Sequence, residues 1–297
     1  MKKSRLLSSL LLVLTALIWG SAFVAQRVGL DYAGPLAFNG VRSLIGAAVL
    51  VPVWLLFRPR SGVDRKKTLR AGAVCGVILF AAANLQQAGL AYTEVGKAGF
   101  ITTFYIILVP ILSVFARKKP APFLWIAVAL ALCGLWFLCM QPGAFTVGRG
   151  DLMELGCAFF FSLQIMVIDR YAETADGVLL SCVQFAVSGV LSLLASIFLE
   201  APDFRVLFRG WAPLLYTGVL SCGVGYTLQI LGQKHLHPTV ASLLMSLEST
   251  FSVLAGWLIL HQALSARELA GCGFMLAAVV LAQLSPSGKP KEGPAAP

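Results

Sequence analysis

Among the polar residues inside otherwise apolar stretches of this chain, six are candidate substrate contacts: Arg42, Gln86, Thr102, Tyr105, Gln164 and Glu248. Ionisable groups at membrane depth are costly, roughly 2.5–3.5 kcal/mol on insertion scales, so they are functional candidates by default. A carboxyl at Glu248 offers two chemistries, reversible proton exchange or an ion pair with the amine of a small solute. The guanidinium of Arg42 can take a carboxylate through its planar fork. The amides of Gln86 and Gln164 and the hydroxyls of Thr102 and Tyr105 donate and accept hydrogen bonds. Each has a structural alternative. Arg42 can snorkel or cap carbonyls, Glu248 can stay neutral between helices, and buried amides bind helices together for roughly 0.6–2 kcal/mol each.

Helical spacing groups these residues. Ala241, Met245, Glu248 and Ser252 share one helix face, as do Ala98, Thr102 and Tyr105, and again Asn39, Arg42 and Gly46. Tyr105 and Glu248 lie 143 residues apart. The same offset relates Leu85-Gln86 and Gly89 to Leu228-Gln229 and Gly232, and Gly34, Gly46 and Ala98 to Gly177, Gly189 and Ala241. Arg42 meets apolar Phe185 at that offset, so its role has no counterpart in the second half.

The elements that position these residues follow from composition. The chain is 297 residues long, 58% hydrophobic and 12% charged, against roughly 25% charged in soluble domains. Apolar runs fall at about 6–26, 35–57, 69–91, 95–116, 122–141, 151–169, 178–199, 211–232, 238–260 and 267–284, each near the length that crosses a bilayer as a helix. They are continuously apolar rather than alternating, which excludes a barrel. The expected fold is an all-α integral membrane protein: ten transmembrane helices as two inverted five-helix repeats, 6–141 and 151–284, with a disordered cytoplasmic tail over 285–297. Five spans per repeat is an odd number, so the second copy must insert upside down, a build shared by many secondary transporters. Pro110 cannot donate to the carbonyl of Ile106, which predicts a bend in the fourth span.

Charge orients the bundle. Lys2, Lys3, Arg5, then Arg58, Arg60, Arg65, Lys66, Lys67, Arg70, then Arg117, Lys118 and Lys119 fall on one side of the first half. By the positive-inside rule the N-terminus is cytoplasmic, and an even count of ten spans returns the C-terminus to the same side. The net charge of +10 resides in short loops, not in a contiguous exposed patch, which argues against nucleic acid. Met1 to Gly20 imitates a signal peptide and is read as an uncleaved first helix.

Several chemistries lack their residues. The seven Cys form no C-x-x-C pair, and His235 and His237 have no Cys or Asp beside them, so no metal and no cofactor is expected. No H-E-x-x-H set or P-loop is present, which argues against an intramembrane enzyme or an ATP-driven pump.

Trp19-Gly20-Ser21-Ala22-Phe23, Phe38 with Arg42, Ala98-Gly-Phe-Ile-Thr102 leading to Val109-Pro110, and Ser246-Leu-Glu248 stand in an order that resembles the EamA family of the drug/metabolite transporter superfamily. The resemblance covers about residues 9 to 284. It implies a non-enzymatic secondary transporter, an exporter of small metabolites such as amino acids or related compounds, working by alternating access around a central cavity. The implied partners are a small-molecule substrate and the lipid bilayer of the cell (inner) membrane, crossed as a multi-pass protein; proton coupling at Glu248 is one of the two chemistries its buried carboxyl offers. A channel-like or non-transporting membrane protein is the alternative. Ser249 stands where the family commonly has proline after the glutamate, so a proline break in the ninth span is absent.

Overall fold

The computed structural model describes residues 2–56, 63–93, 95–140, 147–260 and 265–284. His261 and the expected tail over 285–297 lie outside them. The described residues form helices and no strands. In chain order these are α1 (Lys2–Gly29), α2 (Pro35–Leu56), α3 (Arg65–Gly89), α4 (Val95–Thr102), α5 (Tyr105–Phe115), α6 (Leu124–Cys139), α7 (Arg149–Tyr171) and α8 (Gly177–Leu199). Then follow α9 (Phe204–Arg209), α10 (Trp211–Leu215), a π-helical segment (Tyr216–Gly225), α11 (Tyr226–Gln233), α12 (Pro238–Met245), α13 (Leu247–Leu260) and α14 (Ala266–Gln283). Eight helical stretches are long and apolar enough to cross a bilayer, and Leu124–Cys139 and Pro238–Leu254 are shorter apolar helices. These coincide in place with the ten expected spans.

The helices start where the local sequence supplies caps. Asp64 accepts from Lys67 N ahead of α3, and Asp176 accepts from Val178 N and Leu179 N ahead of α8. Ser265 and Glu268 form a reciprocal capping box on α14. Glu200, just past α8, reaches across the bundle to accept from Leu36 N and Ala37 N at 2.8 and 2.9 Å, capping α2 from another helix.

Polar ties at the helix ends show how the chain threads. At one end, Arg5 donates to Gln283 O, Trp54 donates to Asp176, Lys118 pairs with Asp169 at 2.7 Å, and the His237 ring meets Lys118 O. At the other, Arg27 donates to Leu90 O, Glu200 caps α2, and Lys97 pairs with Asp151 at 2.6 Å. The first half therefore starts at the end holding Arg5, and the second starts with α7 at the opposite end.

The helix pairings share this symmetry. α2 packs on α8 and α6 on α14. α3 against α7 is matched by α1 against the π segment and α11, and α4 and α5 against α7 by α1 against α12 and α13. Where helices cross most closely, glycines make room. A Cβ on Gly76 would lie 2.6 Å from Val187 Cβ and 2.8 Å from Gln184 O, so α3 and α8 meet backbone to backbone. Gly76→Ala has to push them apart, at about 1–3 kcal/mol for overpacking. The expected result is a lower thermal midpoint of the detergent-solubilised protein, and an unchanged midpoint would mean the contact is slack.

Three features of helix continuity lie beyond the sequence expectations. The fourth span is not one bent helix: it breaks at Thr103-Phe104, between α4 and α5, nearly two turns before Pro110. Thr103 Oγ1 turns back onto Gly99 O and Phe100 O, offering the backbone an alternative acceptor pattern to the regular ladder. The ninth span, without proline after Glu248, nonetheless breaks at Ser246, whose hydroxyl bonds Leu243 O at 2.9 Å. Thr103 and Ser246 stand at the same 143-residue offset that separates Tyr105 from Glu248. The eighth span is not a plain α-helix either, its middle being the ten-residue π segment with Gly218, Gly223 and Gly225.

Candidate functional site

The two broken helices meet at the centre of the bundle. Tyr105 opens α5 immediately after the first break, and Glu248 is the second residue of α13 after the other. Their side chains touch: Tyr105 Oη donates to Glu248 Oε1 at 3.1 Å, with both groups buried. Discontinuous helices of this kind put helix ends, with their incompletely satisfied backbone groups and dipoles, at membrane depth, where small solutes can be gripped.

Around this pair lies a narrow cavity with about 40 Å³ of room for water-sized molecules. All six residues singled out from sequence line it: Arg42, Gln86, Thr102, Tyr105, Gln164 and Glu248. Much of the wall is built from equivalent positions of the two halves. Ala22 and Ile165, Arg42 and Phe185, Leu79 and Cys222, Ala83 and Tyr226, Gln86 and Gln229, Thr102 and Met245, and Tyr105 and Glu248 all line it, each pair at the offset of 143. The symmetry of the fold thus runs through the cavity, and its chemistry follows only in part: Gln86 with Gln229 and Tyr105 with Glu248 are polar on both sides, whereas Arg42, Thr102 and Tyr226 face apolar counterparts.

Arg42 is the clearest asymmetric feature. It is 5% exposed, and its Nε donates to Asn39 Oδ1 at 2.6 Å. Asn39 is held in turn by donating to Ala83 O and Asn84 Oδ1, and Asn84 donates to Phe80 O and Ser192 Oγ. The guanidinium carbon lies 5.8 Å from the Phe38 ring centre. No carboxylate pairs with Arg42 among the described residues. The polar scaffold therefore fixes the stem and one face of the fork and leaves a buried cation without a counter-ion, the converse of an arginine that locks helices through ion pairs.

The amides divide into two groups. Gln164 donates to Gln184 Oε1 and Gln229 Oε1 at 3.4 Å, and Gln229 donates back to Gln164 Oε1 at 3.2 Å, forming a loose network on one wall. Gln87, one residue beyond Gln86, turns away and donates to Gln26 O. Gln26 lines the cavity, and its buried Oε1 has no hydrogen-bond partner among the described residues. Thr102 faces the cavity, yet its hydroxyl is committed to Glu154 Oε2 at 2.7 Å.

Sequence reading passed over the aromatic wall contributed by the π segment and α11. Tyr226 packs on Trp19 at 4.6 Å between ring centres and edge-on against Phe185 at 5.0 Å. The offset from Ala83 to Tyr226 was the signal that locates it. The π geometry aligns this wall with α1: Trp19 Nε1 donates to Ser221 O, and Thr15 Oγ1 to Gly225 O. π-helical turns leave the regular hydrogen-bond ladder and recur at functional sites.

The model of the EamA-like transporter family matches residues 6–140 and again 148–284. The chain belongs to this family. An uncharacterized transporter of Archaeoglobus fulgidus is 31% identical over 286 residues, covering 94% of this chain and 87% of that protein. The threonine/homoserine exporter RhtA of Escherichia coli K12 is 24% identical over 279 residues, covering 91% and 88%. A solved crystal structure superposes with a TM-score of 0.79 at 18% identity, covering 93% of this chain and 96% of that one, which supports the fold. The EamA-like chain is thus a multi-pass membrane transporter of a family whose named members are transporters rather than enzymes.

Proposed function

We propose that the protein is a secondary exporter of small zwitterionic metabolites, amino acids or close relatives, working by alternating access around the central cavity. One observation carries this reading. A guanidinium without a counter-ion and a carboxyl–phenol pair face one cavity from different helices. Arg42 receives the substrate carboxylate, Glu248 with Tyr105 receives the ammonium group or exchanges a proton, and the amides of Gln86 and Gln164 replace lost water. Thr102, whose hydroxyl proton goes to Glu154, offers its oxygen lone pairs as an acceptor at the break. The name of RhtA, a threonine/homoserine exporter, supports the same substrate class.

The halves over 6–141 and 151–284 act as the two rocking units, with the tail over 285–297 outside the membrane. Both termini face the cytoplasm of an inner-membrane protein, a reading supported by the basic residues near the end that holds Arg5, Lys118 and Arg170. A thermal-shift screen of amino acids, nucleosides and polyamines on detergent-solubilised protein tests the substrate class, because a ligand that binds only the native state raises the midpoint. Zwitterionic amino acids should stabilise the protein while polyamines, which lack an anionic group, do not; the reverse order would refute the assignment of Arg42.

A further inference from the structure

We propose that Glu154 is a second proton-exchanging residue of the transport cycle, linked to the cavity through Thr102. Glu154 is fully buried on α7. Its Oε2 accepts from Thr102 Oγ1 at 2.7 Å, whereas its Oε1 has no hydrogen-bond partner among the described residues. Oε1 presses against the end of α3, where a Cβ on Gly89 would lie 2.5 Å from it. The carboxyl therefore has one anchor, and that anchor is a residue of the cavity wall.

The structural duties of an acid at this helix end are already taken. Asp151, one turn earlier, accepts from Gly148 N, Thr93 Oγ1 and Lys97 Nζ at 2.6–2.7 Å. Glu154 adds no such cap, and no salt bridge reaches it among the described residues. The ionisable groups around it are few. Its own helix brings Asp151 and Cys157, α4 brings Lys97, which Asp151 engages, α5 brings Tyr105 and α11 brings Tyr226. The nearby end of α3 and the whole of α12 bring none. A carboxylate there is uncompensated, so the group rests neutral and ionises only when the cycle rearranges its surroundings.

Thr102 supplies the route. It is the last residue of α4 at the helix break, so tilting of the half-helices against α7 makes or severs its bond to Glu154. When the carboxylate is to be refilled, hydronium in the cavity gives a proton to Thr102 Oγ1 while the hydroxyl's own proton passes to Glu154 Oε2. Hydronium becomes water and the carboxylate becomes a carboxylic acid; the reverse step discharges it. Glu154 acts through Thr102 and need not touch the substrate.

The inference rests on the transporter reading above, and one arm of its test does not need a substrate. Protein reconstituted in liposomes is compared by infrared difference spectroscopy between acid and alkaline buffer. Glu154→Gln, which keeps shape and the acceptor for Thr102, should remove one pH-sensitive carboxyl band while leaving the thermal midpoint near that of the parent. Glu154→Asp should shift the band rather than abolish it. An unchanged difference spectrum in Glu154→Gln overturns the proposal. In the second arm, the pH dependence of L-threonine uptake should flatten in both Glu154→Gln and Thr102→Val, and a parental profile in either counts against the relay. Absence of L-threonine flux in the parent protein sinks the substrate assignment alone, because the spectroscopic arm still decides on Glu154.

Discussion

Arg42→Ala should weaken binding of an amino-acid substrate by roughly 10- to 150-fold, read as the loss of ligand-induced thermal stabilisation and a raised half-saturation of uptake. The magnitude follows from removing a hydrogen bond to a charged group, worth about 1.5–3 kcal/mol, at 1.4 kcal/mol per tenfold. Arg42 is buried, and its one recorded hydrogen-bond partner, Asn39, keeps Ala83 and Asn84 after the change. The scaffold therefore survives, and taking away an uncompensated buried cation relieves the fold of a desolvation cost. A stabilised protein that no longer binds is the combined signature expected. A purely structural arginine would give the opposite, a destabilised protein whose ligand response is intact. Arg42→Lys should recover only part of the binding, since an ammonium cannot present two parallel donors.

Glu248→Gln should uncouple transport from the proton gradient. The residue sits just past the break in the ninth span, where an ionised carboxylate costs roughly 2.5–3.5 kcal/mol on insertion scales, so a proton or a substrate cation must accompany it through each half-cycle. The amide keeps the bond from Tyr105 but cannot exchange a proton. Uptake driven by a pH gradient should fall about tenfold or more, the equivalent of at least 1.4 kcal/mol, while exchange of labelled for unlabelled substrate at equal pH persists. If gradient-driven uptake survives in Glu248→Gln, coupling lies elsewhere, and Glu154 becomes the first place to look. Tyr105→Phe removes only the donor at 3.1 Å and should shift the pH profile with little loss of maximal rate.

The parts of the site that were legible in sequence are those where membrane physics leaves few options. Arg42 and Glu248 stood out because ionisable groups in apolar runs are rare, and the offset of 143 paired Glu248 with Tyr105, which the fold brings into hydrogen-bonding contact. The helix breaks were hidden because they arise from hydroxyls of Thr103 and Ser246 folding back on their own turns. Threonine and serine do so in many helices without breaking them, whereas proline, the usual signal, lies elsewhere in the fourth span and in the ninth stands at its first residue, Pro238, well before the break. The π segment was hidden for a related reason: Gly218, Gly223 and Gly225 permit close approach to α1 and α2, and the side chains that reach its carbonyls, from Thr15 and Trp19, belong to a distant part of the chain. Glu154 lies near the start of α7, where a carboxylate suits the helix dipole, so its place in the chain alone does not single it out. Only the fold shows that Asp151 already fills that place and that Thr102 ties Glu154 to the cavity.

The central claim is that one solute crosses through the chamber the two halves enclose. Counterflow in liposomes tests it most directly: vesicles holding the protein and filled with unlabelled L-threonine are offered a trace of labelled L-threonine outside. The account predicts a transient, saturable accumulation of label that Arg42→Ala abolishes. Entry that rises linearly with concentration, or accumulation that is indifferent to Arg42, would contradict it.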